Sequence, residues 1–182
     1  MRRRVAVTGV GVVSGYGIGT DLFIDSVFSG RSAVRRLSWD ASLIGCQIGA
    51  EVTEYDASPY FREPKDARRF EATILHAVAS SRLALDHARL VITDEIADRT
   101  ATYFGSGIGG LDTLNEQITK TASSGINRYS PFFIVNSISN MSSGIVSIES
   151  GARGPSFNTV SACASSGHAI GEAMRLIQHG YA

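Results

Sequence analysis

Between Ser156 and Ile177 an apolar, β-prone run ending at Ala162 passes directly into a helix-like run beginning at Ala164, with Cys163 at the change. A strand fed straight into a helix is the building step of α/β architecture, in which helices cover a sheet. The rest of the chain keeps that grammar. Residues 4–9 predict a strand, Thr20 a cap for a helix reaching Gly30, and residues 47–53 another strand. From Asp66 to about Leu90, Phe70, Ile74, Ala77, Val78, Leu85 and Ala88 keep helical spacing, which predicts one long helix with basic residues at its start. Ala101 to Phe104 predicts a strand entering Gly105-Ser106-Gly107-Ile108-Gly109-Gly110, followed by a helix from Leu111. Ile138, Met141, Ile145 and Ile148 mark one buried helical face ending near Gly151, and the last helix is expected to stop at Gly180.

Cys163 is then placed as a nucleophile would be. The first turn of a helix offers unpaired N–H groups and the positive end of the macrodipole, which favour a thiolate. Ala162, Ala164, Ser165, Ser166 and Gly167 leave room for a substrate to reach the sulfur. The rival is a buried structural cysteine at a strand end; strand, small residues and helix together favour the nucleophile. Cys163, Gly167 and Gly171, four residues apart, also predict a small-residue stripe that lets this helix lie tightly in the core. Two glycines inside one helix otherwise cost about 2 kcal/mol against alanine.

Charge narrows the function classes. With 17 basic and 17 acidic residues among 182, a dominant nucleic-acid or membrane-surface role has no electrostatic footing. The length suits one domain or part of a larger protein. Two cysteines, Cys46 and Cys163, make neither a disulfide framework nor a metal cluster, so a reducing, cytoplasmic setting is expected. Met1-Arg2-Arg3-Arg4 imitates the opening of a signal peptide, but Thr8, Gly9 and Gly11 break the apolar run at once, and no membrane span is expected.

Gly105, Gly107 and Gly110 fit G-x-G-x-x-G between a strand and a helix, the dinucleotide-binding context. That fingerprint also wants an acidic residue closing a second strand about twenty residues on, and the Ser123 to Tyr129 stretch is polar and turn-like. The earlier cluster Gly9, Gly11, Gly15 and Gly17 has no such register. The alternative for all of them is close backbone approach. No histidine falls easily beside Cys163. His168 is five residues on, about 140° around the helix; His179 lies roughly 24 Å along it. His76 and His87 share a face of the long helix as exposed or packing residues. The chain shows a nucleophile without its base.

The stretch Gly151-Ala152-Arg153-Gly154-Pro155-Ser156-Phe157-Asn158-Thr159-Val160-Ser161-Ala162-Cys163-Ala164-Ser165-Ser166 resembles the active-site signature of β-ketoacyl synthases, the decarboxylating condensing enzymes of fatty-acid and polyketide synthesis. Val5 to Ser14 resembles the family's opening strand and turn, Phe104 to Gly110 its glycine-rich turn, and Ser130-Pro131-Phe132-Phe133 with Asn140-Met141 its dimer-interface segment. Within the family the resemblance is greatest to the 3-oxoacyl-[acyl-carrier-protein] synthase II type. It implies a thiolase-like layered α/β fold, with residues 1–182 as its first, N-terminal half, truncated after the nucleophile helix. It implies that Cys163 takes an acyl group from the phosphopantetheine thioester of an acyl carrier protein, with its backbone N–H as one oxyanion donor. Malonyl carrier protein then loses carbon dioxide and attacks, giving a 3-oxoacyl product. By the same carry-over Ile108 gates the acyl pocket, Phe133 lines it near the dimer interface and Ala162 borders it. Lys65, Arg68 and Arg69 suit an acidic carrier protein. No cofactor or metal of the chain's own is implied.

The resemblance also implies a homodimer, or a partner supplying the C-terminal half. The family's histidines, lysine and remaining oxyanion donor belong to that half, and the chain stops at Gly180-Tyr181-Ala182, just before the strand expected next. Alone, the chain is expected to be slow in self-acylation and inactive in condensation. Two alternatives stand beside this: a non-catalytic partner like the chain-length-determining subunits, which typically replace the cysteine retained here, and a nucleotide-dependent oxidoreductase using the Gly105–Gly110 turn.

Overall fold

The computed structural model of the protein describes residues 3–53, 55–125 and 128–182. Met1 and Arg2 of the basic start, and residues 126–127 of the turn-like 123–129 stretch, lie outside the described residues. Contacts divide the chain into two units: Thr8–Asp56 with Ala79–Leu90, and Met1–Val7 with Ala57–Val78 and Val91–Ala182.

In the first of these, strands β1 (Val13–Ser14) and β2 (Gly17–Ile18) form a hairpin, pairing Val13 with Ile18 and Ser14 with Gly17. Helix α1 (Thr20–Phe28) follows, then β3 (Arg35–Arg36) antiparallel to β4 (Ile48–Gly49). The strand expected over residues 4–9 has no ladder among the described residues; pairing begins at Val13. Gly9 and Gly11 lie instead against helix α2 (Ala72–Ala88), where a Cβ would strike the carbonyl oxygens of Ala84 and Ser80. Thr20 does not cap α1. Gly19 holds that position, and the Thr20 hydroxyl donates to the Val10 carbonyl at 2.9 Å. The strand expected over 47–53 shortens to β4, and the Glu51 carboxylate accepts the Ser38 N–H at 2.9 Å and its hydroxyl at 3.0 Å.

In the second unit the long helix expected from Asp66 begins only at Ala72. Pro64–Arg69 forms a 3₁₀ turn, and Phe70 is extended (φ −107°, ψ 147°), its ring stacked on Phe61 with centroids 5.8 Å apart. Burying Phe70 against Phe61 breaks the helical run, so Lys65, Arg68 and Arg69 sit on that turn rather than on the helix. Helix α3 (Asp94–Ala97) leads to β5 (Thr102–Gly105), followed by α4 (Leu111–Ser124), α5 (Phe133–Ser137), α6 (Met141–Ser150), β6 (Ser156–Thr159) and α7 (Ser165–His179). β5 and β6 are parallel, in register from Thr102–Ser156 to Gly105–Thr159.

Strand alternation places helices on both faces of this pair. The Thr102 hydroxyl reaches α6, at 2.7 Å from Ser147 Oγ and 3.2 Å from the Ser143 carbonyl. Three residues on, the missing Cβ of Gly105 points the opposite way, into the start of α7. The expected face of α6 needs correcting. Ile145 is buried, but Ile138 and Ile148 are exposed, and Ser142, Ser143 and Val146 complete the buried set. Small serines seat α6 close to the strands, leaving the larger side chains at its flanks. α6 and α7 end at Gly151 and Gly180, both left-handed as expected. Among the described residues no helix is long and apolar enough to cross a membrane.

Candidate active site

β6 carries the chain to a turn that presents Cys163. After Thr159 come Val160 and Ser161, then a 3₁₀ turn over Ala162–Ala164, and α7 starts at Ser165. Cys163 is exposed. It lies just ahead of the helix rather than within its first turn, because Ala162 makes a left-handed step at φ +49°. Such a step costs an L-residue about 1–2 kcal/mol, so the surroundings must enforce it. Ser165, 2% exposed, does so: its hydroxyl donates to the Ala162 carbonyl at 2.7 Å and accepts the Ser161 N–H at 2.8 Å. Thr159 Oγ1 donates to the Ser165 carbonyl at 2.7 Å, and the Ala164 N–H to the Ser161 carbonyl at 3.0 Å. Sequence reasoning took Ser165 only as a small neighbour. Its signal was a hydroxyl at a helix start, where side chains compete for backbone partners.

Gly105 fits beneath this turn because it has no side chain; a Cβ there would overlap the main chain of Ser165 and Ser166. The following glycines pack against protein on two sides. A Cβ at Gly107 would sit 3.6 Å from Ala162 Cα, and the Gly110 N–H donates to the Ser137 carbonyl at 3.2 Å. Close backbone approach requires glycine at Gly105 and at Gly110, where a Cβ would strike the Asn136 carbonyl oxygen, whereas Gly107 makes only ordinary contact. Ile108, the residue after Gly107, is exposed. Phe133 opens α5, at whose far end the glycine turn docks; its ring stacks on Tyr129 with centroids 4.8 Å apart. Lys65, Arg68 and Arg69 lie on their own turn, with Lys65 3.9 Å from Glu63 and Arg69 3.0 Å from Asp66. The Arg69 guanidinium also lies over the Phe132 ring, 5.8 Å from its centroid.

The small-residue stripe is not packed as expected: a Cβ on Gly167 or Gly171 would meet nothing within 4 Å. Ser165 and Ala169 are the buried residues of α7, while Ile170 is 70% exposed and Met174 and Ile177 stand out beside it. The histidines are engaged elsewhere. His168 Nδ1 is 2.7 Å from Ser161 Oγ, His179 Nδ1 2.7 Å from the Arg175 carbonyl, and His87 Nδ1 accepts the Val10 N–H at 3.1 Å. His76 is half-buried, and desolvation lowers its pKa below 6.5 against the opposing pull of Glu71. Among the described residues no group of three His, Cys, Asp or Glu side chains could hold a metal ion.

Residues 2–182 match a family model described as Beta-ketoacyl synthase, N-terminal domain. The chain is 40% identical over 182 residues to 3-oxoacyl-[acyl-carrier-protein] synthase 2 of Synechocystis sp., covering 100% of this chain and 44% of that relative. A crystal structure of a β-ketoacyl synthase from Burkholderia phymatum STM815 superposes with a TM-score of 0.82 at 27% identity, over 100% of this chain and 45% of that one. A type II polyketide acyl-carrier protein in complex with its ketosynthase bound to the hexaketide superposes with a TM-score of 0.82 at 21% identity, over 100% and 49%. The last likeness is one of fold. The chain thus spans less than half the length of these relatives and has the first half of the thiolase-like layered fold.

Proposed function

The chain belongs to the β-ketoacyl synthase family, and from that premise we propose that Cys163 is the acyl-carrying nucleophile of a decarboxylating condensation in fatty-acid or polyketide elongation. The observation that carries this is the exposed Cys163 on a strained turn enforced by the buried Ser165. In the first half-reaction Cys163 Sγ attacks the thioester carbonyl of an acyl group borne on a carrier protein's phosphopantetheine arm. The carbonyl electrons move onto oxygen, where the Cys163 backbone N–H is one donor, and collapse expels the carrier thiol. The acyl chain then extends past Ala162 and Ile108 toward Phe133. In the second half-reaction malonyl carrier protein loses carbon dioxide, its carbanion attacks the Cys163 thioester carbonyl, the acyl C–S bond breaks to restore the Cys163 thiolate, and the 3-oxoacyl product leaves on the carrier.

Lys65, Arg68 and Arg69 meet the acidic carrier protein. Their paired acids, Glu63 and Asp66, are surface partners that screening readily loosens. Residues 1–182 act as one N-terminal domain of a cytoplasmic enzyme with no cofactor of its own. The groups that promote decarboxylation come from a C-terminal half. The exposed stripe Ile170, Met174 and Ile177 on α7 supports an apolar covering there, and a homodimer contact through the Ser130–Met141 segment is consistent with exposed Ile134. Retention of Cys163 speaks against a chain-length-determining role. The test is mass spectrometry of the chain after exposure to an acyl thioester: the Cys163 peptide gains the acyl mass, and Cys163→Ser abolishes it. Label on Cys46 alone refutes the proposal.

A further inference from the structure

We propose that Ser161 and His168 form a positioning clamp that holds the cysteine turn in its strained, presenting conformation. Ser161 is fixed at three points: its N–H by Ser165 Oγ at 2.8 Å, its carbonyl by the Ala164 N–H at 3.0 Å, and its hydroxyl by His168 Nδ1 at 2.7 Å. The first two ties close within the turn. The third reaches one turn deeper into α7 and couples the residue before the left-handed Ala162 to the helix body. A residue in a sparsely populated backbone region persists only when its surroundings over-determine it. Without the third tie the turn is held by Ser165 and the Ala164 N–H alone, and the sulfur spends less of its time at the head of α7, where N–H groups favour negative charge developing on it. His168 therefore acts through Ser161 and needs no contact with substrate. Because the pair is on the surface, its loss loosens the turn without unfolding the chain.

The test uses the full chain, with iodoacetamide alkylation of native Cys163 measured against exposed Cys46 by peptide mass spectrometry. His168→Ala and Ser161→Ala should each lower the Cys163-to-Cys46 rate ratio about fivefold, the factor that one net hydrogen bond represents. The double variant should fall no further. His168→Asn should restore the ratio, because an amide atom on Cγ stands where Nδ1 stood. An unchanged ratio in both alanine variants, multiplying effects in the double variant, or an Asn variant as slow as the Ala variant overturns the proposal. If His168→Ala fails to fold, Ser161→Ala and His168→Asn decide it. The readout needs no acyl transfer, so a wild-type chain that accepts no acyl group refutes the proposed function and leaves this test standing.

Discussion

Replacing Gly105 by alanine tests whether the end of β5 and the head of α7 are as close as the fold requires. In a strand, Gly→Ala ordinarily stabilises by about 0.5–1 kcal/mol through chain entropy. Here the new Cβ overlaps the backbone of Ser165 and Ser166, atoms that cannot swing aside as a long side chain would. Overpacking of this kind costs about 1–3 kcal/mol or more, and relief requires α7 to retreat from the sheet, taking the Ser165 locks with it. The expected net loss is about 2 kcal/mol, or roughly 4–8 °C in Tm for a chain of this size. Gly171→Ala is the internal contrast. It also adds one methyl, but into open space within a helix, and should raise stability by about 1 kcal/mol. Thermal unfolding of both variants, with Cys163 acylation as a second readout, separates the cases. A Gly105→Ala chain as stable as wild type, with acylation intact, would refute the close approach.

Ala162→Val places a β-branched residue at φ +49° and should cost about 2 kcal/mol in urea unfolding while suppressing acylation of Cys163. Charge reversal at Lys65 and Arg68 should weaken association with an acidic carrier protein steeply at low salt and little at high salt. Acylation from a small soluble thioester should stay unchanged in that variant, since both residues sit on a separate turn. His76 has its pKa lowered chiefly by desolvation, so the unfolded chain binds more protons than the folded one. Its contribution to stability is therefore full above the ordinary value of 6.5 and is lost as pH falls through 6.5 toward the depressed folded value. Replacing His76 by glutamine should flatten that slope in unfolding curves taken across the window.

Local pattern carried much of this fold into view. The strand at Ala101–Phe104, the helix from Leu111 and the helix ends at Gly151 and Gly180 follow from periodicity and glycine chemistry, and the structure has them. The exposed turn that presents Cys163 was legible because strand, small residues and helix adjoin in sequence. The break at Phe70 was not, because helical spacing continues across it and only the ring of Phe61 shows why it leaves the helix. The left-handed Ala162 was equally hidden, since alanine does not advertise a positive φ as glycine does. Of the hydroxyls that enforce it, Ser165 read as a small neighbour and Thr159 as a strand residue until their partners six residues apart or fewer are seen in space. The stripe at Gly167 and Gly171 misled because spacing alone does not say what stands opposite. Among the described residues nothing does within 4 Å.

The most direct test of Cys163 as the nucleophile is intact and peptide mass spectrometry of the chain after incubation with an acyl-carrier-protein thioester, with hydroxylamine used to cleave any thioester formed. The account predicts one hydroxylamine-labile acyl group on the peptide containing Cys163, none on the peptide containing Cys46, and none in Cys163→Ser. Acyl label distributed equally over both exposed cysteines, or persisting in Cys163→Ser, would contradict it.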